Sequence, residues 1–254
     1  MITYLPQKTW VDSLNPVTKL TYVLCTVLLV IVTPGFVPLL GLWVAGLLAM
    51  VAARVLIRGL SLLQRTVLPV ALFLFLIQGL FYPGAQQVVL ALGPLSLKAE
   101  GLEYAAMVSL RLAAVVTSFA LFLLTTHPNR LMTSLEQRGF SSKVSYIVLA
   151  TIQLIPMMQQ RAAAIFDAQR SRGLEIEGSL VTRFRALLAM IGPLVMGSVI
   201  NVETRSMALE ARAFLSERKR THLFEVPDRP VDTRVRLFLA IGTCMMVAWR
   251  LARW

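Results

Sequence analysis

Residues 101–126, GLEYAAMVSLRLAAVVTSFALFLLTT, form an apolar run with a single arginine, Arg111, inside it. As a helix rising about 1.5 Å per residue, such a run is longer than the roughly 30 Å hydrocarbon core of a bilayer. Helices suit that environment because every backbone polar group inside lipid must find its partner within the segment. Further runs at 20–33, 36–57 and 66–82 precede it. Composition agrees: 15% of residues are charged, against about 25% in soluble domains, and mean hydropathy is +0.71. A net charge of +12 would suit nucleic acid, yet Lys and Arg beside apolar spans are what cytoplasmic loops carry. We therefore expect the lipid bilayer, and no nucleic acid, as the surroundings of this chain.

Loop charges set an orientation by the positive-inside rule. Lys8 and Lys19 precede the first span, and Arg54, Arg58 and Arg65 are read as the loop between the second and third. The 34–35 loop has no basic residue, and the long turn at 83–100 has only Lys98. A cytoplasmic N-terminus follows, with the chain back in the cytoplasm near His127. The first run follows NPVTKL and lacks a small-residue cleavage pattern, so it reads as a retained span rather than a signal peptide.

Residues 127–236 differ in kind, because they hold 14 of the 20 arginines among shorter apolar stretches at 144–158 and 186–202. Each stretch continues into charged sequence without a strong breaker, which predicts two long cytoplasmic helices at about 143–173 and 180–219. Pro156 and Pro193 should kink them. Residues 220–233 break helix, and 235–249 make a fifth span. The expected fold is an all-α membrane protein with about five transmembrane helices plus long kinked cytoplasmic helices. Its regions would be 1–126, 127–233 and 234–254.

Little here supports an enzyme. The four aspartates, Asp12, Asp167, Asp228 and Asp232, are scattered, unlike the clusters that hold magnesium and diphosphate. His127 and His222 are isolated, and Cys25 and Cys244 lie far apart in apolar runs, so neither a metal site nor a disulfide framework is expected. No Gly-x4-Gly-Lys-Ser/Thr loop occurs, and no nucleotide or other cofactor is expected in this chain. Arg111 is a candidate intramembrane functional residue because burying its charge is costly. It could equally snorkel to an interface or pair with Glu100 or Glu103.

One pattern recurs in the basic region: AQRSRG at 168–173 and ALEARA at 208–213. On a helix Ala168 and Arg172 lie one turn apart, as do Ala208 and Arg212. Each copy would present a small-residue face with one guanidinium at its edge, suited to close approach by another protein. Apolar Leu174 and Phe214 follow the two copies, and SLEQRGF at 134–140 is a looser third echo. Arg170, Arg205 and Arg218 read as solvated or lipid-headgroup residues.

With these motifs, and with LNPVTKL at 14–20 before the first span, nearly the whole chain resembles the transmembrane T component of energy-coupling factor transporters. The second copy departs from the family's pattern by ending in Ala213 rather than glycine. The resemblance implies a scaffold in the membrane of a prokaryotic cell. It would join two ABC-type ATPase subunits, which bind the ATP, to a small substrate-binding membrane subunit for vitamin or metal-ion uptake. Ala168, Ser171, Arg172 and Gly173 would contact one ATPase, and Ala208, Ala211, Arg212 and Ala213 the other. A membrane-embedded transferase or hydrolase, and a conventional ABC importer permease with one coupling helix per subunit, are the competing readings. Missing carboxylate and histidine clusters count against the first, and the duplicated motif against the second.

Overall fold

The computed structural model describes residues 9–82, 88–92, 95–174, 178–214, 216 and 225–252, and the expectations placed on Lys8, Arg218 and His222 lie outside them. The described chain is helical: α1 (Trp10–Ser13), α2 (Pro16–Val32), α3 (Phe36–Ala52), α4 (Leu56–Phe81), α5 (Ala99–Thr125), α6 (Pro128–Glu136), α7 (Ser142–Ser171), α8 (Leu180–Ala211) and α9 (Pro230–Leu251). The stretch read as a long turn holds the exception, a short antiparallel hairpin of β1 (Val88–Leu92) and β2 (Leu95–Lys98). The fold is that of an all-α membrane protein. It divides into two compact units, Met1–Gly139 with Glu225–Trp254, and Phe140–Phe224.

In the first unit α5 is the central strut, packed against α4, α3 and α2. Its buried face is built from small residues, among them Gly101, Ala105, Ala113, Ala114, Thr117, Ser118 and Ala120, which let neighbouring backbones come close. At Gly46 of α3 an added Cβ would sit 3.0 Å from the Thr117 methyl, and Trp43 donates to the Thr117 hydroxyl at 3.2 Å. One apolar cluster joins Val11, Met50, Leu121 and Leu124; another joins Val30, Leu39, Leu110 and Ala114. The second unit is the pair α7 and α8.

Two span boundaries differ from expectation for one local reason. The run 36–57 does not continue as one helix: α3 ends at Ala52, where Arg54 takes a left-handed φ of 56° and the Val55 N–H reaches back to the Met50 carbonyl. The next helix then starts at Leu56, so Arg58 and Arg65 stand on α4 and only Arg54 lies in the connection. Apart from the charge of Arg54, nothing in the composition of 50–57 marks this turn. The first span does begin at Pro16, with Asn15 as its cap.

By length and composition α4, α5 and α8 can each cross a membrane, and α2 and α3 are shorter apolar helices. α8 joins that group because residues 186–202, read as an apolar patch too short or too polar to span comfortably, sit inside one continuous 32-residue helix. Both α7 and α8 run through their prolines, Pro156 and Pro193, without interruption. α8 stops at Ala211, eight residues short of the expected end. α9 begins at Pro230, five residues before its apolar run, because Pro is favoured in a first turn and Asp232 closes the cap.

Candidate functional site

Each copy of the repeated motif occupies the last turn of a helix and its cap. α7 stops at Ser171, Arg172 is its C-cap, and Gly173 has φ +86°. Two hydrogen bonds close this end: the Gly173 N–H donates to the Arg170 carbonyl at 3.0 Å, and the Leu174 N–H to the Gln169 carbonyl at 3.1 Å. α8 repeats the arrangement, with Arg212 as C-cap and Ala213 at φ +52°. Here the Ala213 N–H donates to Glu210 at 2.9 Å and the Phe214 N–H to Leu209 at 3.0 Å. These are two copies of one Schellman cap.

In both copies the first alanine, the Ser or Ala, the arginine and the left-handed residue are exposed, and the apolar residue that follows is half-buried. Neither the Arg172 nor the Arg212 side chain has a hydrogen-bonding or ionic partner among the described residues. Part of each arginine's local role is electrostatic, since a cation at a helix C-terminus faces the negative end of the dipole. That would be met as well by lysine.

The small residue after each arginine thus has a conformational task of its own. Gly173 suits a left-handed position and Ala213 does not, at a cost of about 1–2 kcal/mol. Ala213→Gly should therefore slow amide exchange at Phe214 roughly fivefold, which corresponds to about 1 kcal/mol, and Gly173→Ala should speed exchange at Leu174 by a similar factor. Equal exchange in both variants would remove the cap explanation.

Contacts within the pair fix where these ends lie. Arg161 of α7 donates to the Gly197 carbonyl of α8 at 3.0 Å, and Ser198 reaches the Met158 sulfur at 3.5 Å. Phe214 packs edge-on against Tyr146 near the start of α7, ring centroids 5.0 Å apart. Later residues of α8 meet earlier residues of α7, so the helices are antiparallel and their C-terminal ends point opposite ways. Arg172 lies level with about residue 186 of α8. At about 1.5 Å per residue this separates it from Arg212 by roughly 40 Å along the axis.

The third echo, SLEQRGF, also ends a helix. After α6 the chain passes through Arg138 to Gly139, with φ +93°. Here the arginine is held: Arg138 meets Asp228 at 2.8 Å, and Arg236 of α9 meets the other oxygen of the same carboxylate. The hydrogen bond from Arg236, and the charges of both guanidiniums, hold the Asp228 carboxyl below its usual range. A lowered value makes the pairing fully present above the ordinary carboxylate pKa of about 3.9, to be lost only as pH falls through the lowered value.

Beside it lies a buried polar cluster that the sequence did not single out. Asp232 is fully buried and accepts from the Asn15 N–H at 2.8 Å, the Thr18 hydroxyl at 3.1 Å and the Arg229 N–H at 3.1 Å. The Asn15 side-chain oxygen accepts from the Val17 N–H at 3.0 Å and the Ser134 hydroxyl at 2.7 Å. Lys19 donates to the Thr125 carbonyl at the end of α5, at 2.8 Å. LNPVTKL is thus a junction where α2, α5, α6 and α9 are tied. Its available signals were the cap pair Asn15–Pro16 and an Asp two residues after Pro230.

Arg111 is half-buried on α5, and its Nε is buried without a partner among the described residues. Glu100 and Glu103 are exposed and neither pairs with it, so the ion pair considered from the sequence is absent among the described residues. Cys25 and Cys244 are free thiols.

Comparison with known proteins gives a consistent set. A family model described as CbiQ, cobalt transport protein, matches residues 7–223. The chain is 29% identical over 250 residues to the energy-coupling factor transporter transmembrane protein EcfT of Thermanaerovibrio acidaminovorans, covering 94% of this chain and 90% of that protein. To the EcfT of Heliobacterium modesticaldum it is 30% identical over 263 residues, covering 98% and 96%. It is also 33% identical over 194 residues to an ABC transporter ATP-binding protein of Bifidobacterium longum. That match takes in 72% of this chain but spans only 25% of the longer Bifidobacterium protein.

Proposed function

This multi-pass chain belongs to the CbiQ family, as a transmembrane component of an energy-coupling factor transporter and not an enzyme, and we propose that it joins two ATPase subunits to a substrate-binding membrane subunit. Arg172 with its cap engages one ATPase and Arg212 with its cap the other. Ala168, Ser171 and Gly173 surround the first contact, and Ala208, Ala211 and Ala213 the second. ATP binding and hydrolysis alter the spacing of the two ATPase sites, and the helix pair carries that change to the substrate-binding subunit. Such transmission needs contacts that differ between the two ATPase states. The substrate, a vitamin or a metal ion, is selected by the other membrane subunit, and the N-terminus is cytoplasmic.

The observation that carries this reading is the pair of matching caps, each with an exposed arginine side chain that has no partner among the described residues, at opposite ends of one antiparallel helix pair. An arginine in this setting offers a planar donor fork to carboxylates or backbone carbonyls. A separation of roughly 40 Å leaves room for two separate globular subunits. Similarity to part of a protein named as an ATP-binding protein also favours ATPase partners. Arg111, whose Nε on the central strut is buried without a partner among the described residues, is proposed to face the substrate-binding subunit.

The test is affinity purification of the tagged chain from its own cells followed by native mass spectrometry. One copy of the chain with two ABC ATPases and one small membrane protein is expected. Two copies of the chain with two ATPases would favour the conventional permease, in which each copy supplies one contact. Purification alone, with substrate turnover, would restore the membrane enzyme.

A further inference from the structure

The α7–α8 unit is an insertion: the chain leaves the first unit at Gly139 and returns to it at Glu225. Both connections pass through the same few residues. Before the exit, Ser134 is tied to Asn15 and Arg138 to Asp228. Oriented to satisfy both partners, the Gln137 amide donates to the Val226 carbonyl at 3.1 Å and accepts from the Val226 N–H at 3.2 Å. After the return, Asp228 holds Arg138 and Arg236, and Asp232 holds Asn15 and Thr18. Outgoing and incoming strands are thereby bonded to each other and to the start of α2. Gly139, in a left-handed conformation with open space around it, follows at once.

This density of polar bonding is not what apolar packing alone would supply. Asn15, Ser134 and Asp232 are buried, and bonds between residues more than 100 positions apart join Asn15 to both Ser134 and Asp232, and Asp232 to Thr18. Replacing one partner leaves a buried donor or acceptor unsatisfied, so such networks hold one arrangement and resist slippage. A third Arg-plus-left-handed-residue turn sits here with its arginine paired, where the other two copies leave theirs exposed.

We propose that Asn15, Ser134, Arg138, Asp228 and Asp232 are positioning residues for energy coupling, forming a clasp that joins the two chain connections of the α7–α8 unit so that its displacement is not absorbed in slack connections. The clasp rests on the coupling role proposed above. Movement generated at Arg172 and Arg212 can reach the first unit through the covalent chain only by way of residues 137–139 and 225–230. Held together, these transmit a rigid displacement. Held separately, each could bend.

The test uses the complex that copurifies with the chain, with nitroxide labels on the exposed natural thiol Cys244 of α9 and on a cysteine replacing exposed Gln160 of α7. Pulsed electron resonance gives the distance distribution between them without nucleotide and with ATP plus vanadate. Asp232→Asn removes an acceptor at the buried centre. Arg138→Gln breaks the exposed rim and is too superficial to unfold the protein. Both variants should retain the ATPase subunits, with hydrolysis within about twofold of wild type, since the exposed arginines are untouched. The nucleotide-free distribution should at least double in width, and the nucleotide-dependent shift should fall by half or more.

Thr18→Val should behave like Asp232→Asn, and Thr18→Ser, which keeps the hydroxyl, like wild type. Unchanged widths in both Asp232→Asn and Arg138→Gln would overturn the clasp, as would loss of the ATPases from Arg138→Gln. The nucleotide-free width judges the clasp whether or not the chain couples to ATPases. Absence of any nucleotide-dependent shift in wild type would instead overturn the coupling role.

Discussion

Replacing both Arg172 and Arg212 with alanine is expected to leave a folded membrane protein that no longer retains its ATPase subunits. The cap hydrogen bonds are made by backbone groups, so neither helix end needs the guanidinium to form. Loss of the favourable dipole contact costs only about 0.3–1 kcal/mol at each exposed end. At a protein interface the cost is larger, because truncating one partner of a buried, charge-assisted contact removes about 2 kcal/mol or more. Two such sites roughly 40 Å apart share no partner and should add, giving about a thousandfold loss of affinity in the double variant.

Single variants should differ from the double one in an informative way. With one handle intact the second contact remains intramolecular, so one arginine retains much of the assembly. Arg172→Ala or Arg212→Ala should therefore reduce uptake more than copurification. Arg→Lys at either position keeps the charge but loses the fork, and should fall between wild type and alanine if the partner offers a carboxylate or a pair of carbonyls. The measurement is ATPase recovery and uptake by membranes containing each variant. Full assembly and uptake in the double variant would remove Arg172 and Arg212 from the site.

What the sequence revealed, and what it hid, follows from the range of the interactions involved. Apolar runs marked α2 and α5 nearly to their ends, because bilayer thickness and a start such as Asn15–Pro16 act locally. The charge of Arg54 marked a loop, but the tightness of the turn there and the return to helix at Leu56 were hidden, since a left-handed arginine carries no compositional sign. In the repeated motif the residue pattern was legible and its geometry was not. The helix end at Gly173 was read nearly in place, whereas Ala213 carries no such sign and α8 was extended too far. Asp232 counted as one scattered acid because its partners Asn15 and Thr18 lie more than 200 residues away. Asn15 and Ser134 were each part of a quoted motif, yet their contact depends on how α2 and α6 pack.

The largest expected effect on the fold itself lies at the other end of α5. An added Cβ at Gly101 would overlap the backbone carbonyl oxygen of Gln78 on α4 and approach the Cβ of Tyr82 to 3.0 Å. Backbone cannot turn aside as a side chain can, so Gly101→Ala requires α4 and α5 to separate along the broadest helix contact in the first unit. A cost of about 3 kcal/mol is expected, the upper part of the range for overpacking.

Gly59→Ala provides the contrast. Its Cβ would approach Met50 through the thioether end of a flexible chain, which can rotate, so about 1 kcal/mol or less is expected. Thermal unfolding in detergent should place Gly101→Ala far below wild type and Gly59→Ala close to it. Equal melting of the two would mean that α4 and α5 can part at little cost. The outcome bears on coupling as well, because α5 runs as one helix from Gly101 to Thr125, whose carbonyl receives Lys19 beside the buried cluster of Asn15 and Asp232. A strut displaced at its start would pull on that junction roughly 40 Å away, given about 1.5 Å per residue. Survivors of Gly101→Ala should therefore take up substrate less well than their recovery of ATPase subunits predicts.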